Sequence, residues 1–244
     1  MTAVEAKCLI KEYKGKPAVS GLDLTVEKGE LFALLGVNGA GKTKTIKMLC
    51  CLTRPTKGDA FLLGDSVLSN RAAVKAKINL SPQETAVARN LTVRENLELI
   101  ARLYGCGKKA AESRAAEMLD NFGLFPAAKD KAKTLSGGMQ RRLSIAMALI
   151  SKPEILFLDE PTLGLDVLAR RELWAEIKKL KGHITVILTT HYMEEAEALS
   201  DRIGIMANGE LKACGTAREL MEWTGAGNFE DAFVALATQQ EGTV

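Results

Sequence analysis

Several short stretches of this chain carry residue types whose spacing suits chemistry on a phosphate. The first, Gly36-Val-Asn-Gly-Ala-Gly-Lys-Thr43, satisfies the pattern of glycine, four residues, then Gly-Lys-Ser/Thr. Gly36, Gly39 and Gly41 lack a Cβ, so the backbone through Val37, Asn38 and Ala40 is able to bend and bring its N–H groups close to a phosphate chain. Lys42 would reach the terminal phosphates and the Thr43 hydroxyl would hold Mg²⁺. The second stretch is Asp159-Glu160, at the end of the apolar run 155–158. Two carboxylates there are expensive to bury without a partner. A magnesium ion would supply one for Asp159, and Glu160 would take a proton from an attacking water; the alternative is a strand end reaching solvent. The third is Leu135-Ser-Gly-Gly-Met-Gln140. A serine and two glycines opening a helix make a second anion site, or else a hinge with Ser136 as a plain cap. The fourth is His191, one of two histidines, after the β-rich run 185–188.

The elements around these stretches must position them. Leu31-Phe-Ala-Leu-Leu35 is a continuous apolar run, as expected of a buried parallel strand, and helical spacing follows over 43–49. Runs 155–158 and 185–188 read as further strands of one parallel sheet. Their ends would then meet at the edge where open α/β sheets bind ligands, which places His191 near a γ-phosphate. Strands are also expected over 6–10 and 22–26, with Tyr13 in a polar loop, a short strand over 60–63 and a helix over 71–77. Proline after Ser81 puts Gln83 on a loop. Thr92 with Glu95 three residues on is a capping box, and strand signals vanish until residue 118, which predicts an inserted helical region. Helices over 167–180, with Asp166 as N-cap, and over 193–199 precede a hairpin around Asn208-Gly209. A helix over 217–223 and a tail complete the chain.

Composition bounds the function. The 244 residues suffice for one large α/β domain or two small ones, and 33 basic against 30 acidic residues give a net charge of +3. That is too balanced for a dedicated nucleic-acid surface. No apolar run approaches the ~20 residues needed to span a bilayer, and the N-terminus has no signal-peptide pattern. Five scattered cysteines imply free thiols in a reducing cytoplasm.

Taken together, the motifs resemble the nucleotide-binding subunits of ABC transporters, over nearly the whole chain. The Leu135 to Gln140 signature is the most specific element; the phosphate loop, the Gln83 loop, Asp159-Glu160, the Leu163-Gly-Leu-Asp166 loop and His191 appear in family order. The resemblance implies an α/β fold: a P-loop NTPase core with a mixed sheet flanked by helices, N-terminal antiparallel strands, and an inserted α-helical subdomain carrying the signature. It implies an ATP-binding domain over 1–222, the helical subdomain over about 84–150, and a short helical tail over 223–244.

It also implies roles. Tyr13 would stack on adenine, and Gln83 would sense Mg²⁺ and the attacking water. Ser136, Gly137, Gly138, Gln140 and Asp166 would serve nucleotide held by a second subunit, in a homodimer or a heterodimer with another ABC ATPase. ATP and Mg²⁺ are the expected cofactors, and Lys42, Gln83, Glu160 and His191 the expected catalytic groups. The short single-cassette form resembles ATPases of the ABC-2 exporter type, peripheral on the inner face of the cell membrane through a permease. The rival expectations are a soluble ABC ATPase acting on a macromolecular machine and a degenerate ATP-binding switch. Two positions depart from the family: Val37 replaces a usual proline, and Lys44 replaces a second threonine. A cation in the first turn opposes the helix dipole by roughly 0.3–1 kcal/mol unless an anion is near, so Lys44 would either meet bound nucleotide or point to solvent.

Overall fold

The computed structural model describes residues 1–238. In chain order, β1 (Thr2–Tyr13) and β2 (Lys16–Glu27) form a hairpin, β3 (Leu31–Leu35) feeds α1 (Lys42–Leu49), and β4 (Lys57–Leu62) and β5 (Asp65–Ser66) lead to α2 (Arg71–Lys77) and β6 (Ile78–Ser81). Next come α3 (Val93–Leu103), α4 (Lys108–Asn121) and α5 (Gly137–Leu149), with no strand among them. The chain then runs through β7 (Ile155–Asp159), α6 (Val167–Lys178), β8 (Thr185–Thr190), α7 (Met193–Leu199), β9 (Arg202–Ala207), β10 (Glu210–Gly215), α8 (Ala217–Thr224) and α9 (Phe229–Thr238).

Two sheets result. A six-stranded mixed sheet has the order β10-β9-β3-β8-β7-β6, parallel throughout except at β10, and an antiparallel sheet has the order β2-β1-β4-β5. The period-2 alternation of side chains divides the six-stranded sheet between two cores. Leu31, Ala33 and Leu35 of β3, with Leu156, Leu158, Val186 and Leu188, face a core shared with the helices α3 to α7. Phe32 and Leu34, with Ile155, Phe157 and Ile187, face a core shared with α1 and the antiparallel sheet. Covered on both faces, β3, β7 and β8 are buried at every position, which is why β3 and residues 155–158 of β7 read as unbroken apolar runs and β8 shows no polar alternation.

The sheet register sets up the site. Leu35 pairs with Thr190, Asp159 with Thr189, and Ser81 with Leu158. The loops after β3, β6, β7 and β8 therefore leave one edge of the sheet together. The loop after β6 is further fixed by Asn96, a fully buried residue of α3. Its amide donates to the carbonyls of Ala88 and Thr92 and accepts from Ala88 N–H.

Three local expectations need correction. Tyr13 does not sit in a loop: it ends β1, paired with Lys16 across a two-residue turn in which Lys14 and Gly15 both have positive φ. The polar stretch 11–16 hid this because that end of the hairpin is half-buried at most and shows no alternation. Second, the strand expected over 60–63 is β4, which begins earlier, at Lys57, and ends at Leu62. Third, the two-residue β5 left no sequence signal. At the other end, Trp223 and Thr224 belong to α8, and Phe229, Phe233 and Leu236 of α9 are buried in the same core as Ile203 and Leu220. Residues 239–244 of the expected tail lie outside the described residues.

Candidate nucleotide site

The glycines of the loop between β3 and α1 answer to steric demands within the chain. A Cβ on Gly36 would lie 2.3 Å from the carbonyl oxygen of Met206, and one on Gly41 would lie 2.7 Å from that of Ala18. Gly41 also has φ 105°, which an L side chain rarely adopts. The loop thus wraps closely against β2 and β9, and its Lys42 turns inward. Lys42 Nζ donates to the carbonyls of Gly36 at 2.6 Å and Val37 at 3.1 Å, with only 4% of the residue exposed. Burial pulls this ammonium below its ordinary pKa, while the charges of Glu160 and Asp159 act in the opposite sense.

The two carboxylates at the end of β7 have different settings. Asp159 Oδ1 accepts from the hydroxyls of Thr43 at 3.1 Å and Thr189 at 2.6 Å. Glu160 is held in left-handed backbone at φ 46°, a conformation that costs a non-glycine residue on the order of 1–3 kcal/mol. Its N–H donates to both the carbonyl and the hydroxyl of Thr189 at 3.1 Å, so one threonine positions both acids. The bend aims Glu160 Oε1 along the sheet edge, 3.8 Å from Lys42 Nζ and 3.4 Å from His191 Nδ1. His191 Nδ1 is buried without a hydrogen-bond partner, leaving a ring nitrogen available beside the carboxylate.

One cleft of about 480 Å³ is lined by Asn38, Gly39, Ala40, Gly41, Lys42, Thr43, Lys44, Gln83, Glu160 and His191, joined by Ala18 and Leu163. Gly36 and Val37 do not line it; their carbonyls accept from Lys42 behind it. Tyr13 borders it: the ammonium groups of Lys11 and Lys44 lie 5.0 and 5.1 Å from its ring centroid. Lys44 therefore points along the cleft towards Tyr13. The arrangement combines a glycine loop, a helix start with no acidic residue in its first turn and two lysines, Lys42 and Lys44, a setting that favours a polyanion. Thr43 and Asp159 present two adjacent oxygens, and the buried Asp159 carboxylate has hydroxyls as its side-chain partners. That donor set suits Mg²⁺, which keeps several waters and binds through one or two protein groups plus phosphate.

The remaining expected site residues lie elsewhere. Ser136 caps α5, its hydroxyl accepting from Met139 N–H at 3.3 Å, and Gln140 Nε2 donates to Leu135 O. Gly137 starts that helix, and a Cβ on Gly138 would come 3.3 Å from Ala169 Cβ. Asp166 caps α6, accepting from Ala169 N–H at 2.9 Å. None of these five residues lines the cleft. Sequence reasoning missed Thr189, although a threonine one strand over from a carboxylate was a usable signal. It also missed Arg141, whose partners are carbonyls distant in sequence.

A mixed sheet whose loops build a phosphate cleft, with a second glycine-opened helix outside it, defines a nucleotide-binding cassette. The ABC transporter family pattern matches residues 19–163, and the chain belongs to that family. It is 44% identical over 225 residues to the daunorubicin/doxorubicin resistance ATP-binding protein DrrA of Streptomyces peucetius, covering 92% of this chain and 68% of that one. It is 44% identical over 223 residues to the linearmycin resistance ATP-binding protein LnrL of Bacillus subtilis, covering 91% and 72%. Among solved structures, a dimeric post-hydrolysis state of the ATP-binding cassette MJ0796, bound to ADP and Pi, superposes with TM-score 0.80 at 28% identity, covering 87% of this chain and 98% of that one.

Proposed function

We propose that this chain is the ATP-hydrolysing motor subunit of an ABC exporter, bound at the inner face of the cell membrane to a separate permease. The row Lys42–Glu160–His191, set along one sheet edge by the φ of Glu160, carries this reading. Relatives named as drug-resistance ATP-binding proteins support an exported, drug-like substrate class. No helix of the described residues is long and apolar enough to cross a membrane; in this reading the permease supplies the path for the substrate.

In this mechanism Tyr13 receives the adenine and the glycine loop holds the phosphates. Glu160 orients a water and takes its proton as the water oxygen attacks the γ-phosphorus. The bond from that phosphorus to the bridging oxygen of ADP breaks, and phosphate leaves. Lys42 and His191 stabilise the charge on the transferring group, and Gln83 completes the wall around the water. Mg²⁺, when held by Thr43 and Asp159, would neutralise phosphate charge. Ser136, Gly137, Gly138, Gln140 and Asp166 serve the nucleotide of a second cassette, the same chain or a related one, with the helical region 84–150 as the arm that moves. The dimeric state of MJ0796 supports that pairing.

The test is Glu160→Gln. A general base contributes on the order of 10²–10⁴-fold in rate. Phosphate release by the variant should fall by about that factor, and ATP should hold it as a dimer in size-exclusion chromatography. Unchanged turnover with monomer only would remove Glu160 from the role.

A further inference from the structure

Arg141 sits in the second turn of α5, five residues after Ser136, and is only 4% exposed. Its guanidinium donates to four backbone carbonyls: Nε to Pro161 at 2.7 Å, Nη2 to Asp159 at 2.7 Å, and Nη1 to Pro82 and to Gln83, the latter at 3.2 Å. None of its contacts is an ion pair with a carboxylate. A buried charge satisfied only by neutral oxygens is an expensive way to hold a fold together, and an apolar side chain would fill the same space more cheaply. Burial pulls the guanidinium pKa down to about 10, against the charges of Asp159, Glu195 and Glu160.

The placement of the four acceptors gives the residue a purpose. Two lie on the loop after β6, at and beside Gln83. Two flank Glu160, one at the last residue of β7 and one on the turn after it. The donor is fixed to the helix whose first residues form the second glycine-rich start. The arginine fork therefore ties that helix to the two segments that line the cleft. If the start of α5 shifts, Gln83 and Glu160 follow or four hydrogen bonds break. Lysine could not replicate this, because its point charge lacks the planar set of donors.

We propose that Arg141 is a positioning residue that couples the two nucleotide sites of a paired cassette, passing the seating of phosphate on the start of α5 to Gln83 and Glu160 of the same chain. This rests on the paired-ATPase reading above. The coupling predicts positive cooperativity in ATP, which a merely structural strut would not supply.

The experiment compares full-length wild type, Arg141→Lys and, as a control, Arg142→Lys, whose arginine pairs with Glu172 at the surface. Arg141→Lys should lower kcat at least tenfold, reduce the Hill coefficient for ATP from near two to near one, and leave the Kd for MgADP within threefold. Arg142→Lys should change none of these. A variant that loses kcat but keeps its Hill coefficient, or that changes neither, overturns the coupling. Because Arg141→Lys could fail to fold, a second measurement stands without it. In Glu160→Gln, ATP should slow amide exchange at residues 83–85 and at 137–141 with one shared midpoint, and two separate midpoints overturn the proposal. A wild type with neither ATPase activity nor ATP-dependent dimer would instead overturn the underlying reading, and the coupling with it.

Discussion

The starts of α1 and α5 each carry more than one glycine, and they are built on opposite principles. At the start of α1 the chain's own fold demands the glycines. Backbone carbonyls of Ala18 and Met206 occupy the space where side chains would go, and the loop lysine is turned in on carbonyls of the same loop. At the start of α5 the fold asks for far less. Gly137 has no atom within 4 Å of a built Cβ and no unusual φ, Gly138 has only the side chains of Ala169 and Leu165 nearby, and Ser136 supplies an ordinary cap. A glycine in a helix costs up to about 1 kcal/mol relative to alanine. Where the chain itself gives no reason for that cost, the reason lies in something that approaches from outside. The first start is an internal cradle; the second, in the function proposed above, is a surface that meets a partner.

Substitutions can break that contrast. Gly36→Ala is expected to have the largest effect. Its Cβ meets a backbone oxygen at 2.3 Å, so the loop must move, destabilising the chain by about 1–3 kcal/mol as overpacking does. Nucleotide affinity should fall at least tenfold, as read by calorimetry with MgADP. Gly137→Ala should behave in the opposite way. It should raise the melting temperature, by the equivalent of up to about 1 kcal/mol, and leave the Kd for MgADP unchanged, while ATPase activity falls at least tenfold because the methyl group blocks the approach of the partner's phosphate. If Gly137→Ala retains full turnover, the second start is a plain cap and the contrast fails.

Lys44 sharpens the comparison in a smaller way, since the first turn of α5 has no cation to match it. It opposes the dipole of α1 by roughly 0.3–1 kcal/mol, offset by its position 5.1 Å from the Tyr13 ring, a contact worth about 0.5–1 kcal/mol at exposed sites. Lys44→Thr should therefore barely change the melting temperature. Loss of one cation from the cleft, worth about 1 kcal/mol, should weaken MgADP binding no more than about fivefold and flatten its salt dependence, with turnover within twofold of wild type. A large gain in turnover would mark Lys44 as a lesion in the site.

Legibility followed the range of the interactions. The capping box at Thr92 and Glu95 and the Asp166 cap were readable because neighbours in sequence make the contacts; the glycine loop and the strand runs of β3, β7 and β8 were readable because their residue types and spacing repeat locally, although their contacts are distant. The hairpin end at Tyr13 was not, because an exposed polar strand is defined by its pairing partner and carries no alternation. The roles of Thr189 and Arg141 were not, because their partners lie on other strands and loops. The left-handed backbone of Glu160 had no signature in a residue type that rarely adopts it.

By itself the sequence determined the class of fold and the inventory of chemical groups: buried parallel strands, glycines where a backbone must bend, and a lysine, a threonine and two acids at strand ends. Tertiary structure decided which of those groups share a cleft and which face away from it. Sheet register brought Lys42, Glu160 and His191 into one row and left Ser136 and Gly137 outside. The physical reason is that hydrophobic periodicity specifies which face of an element is buried, whereas the distance between two side chains on different elements is set by strand order and register, which no local pattern encodes.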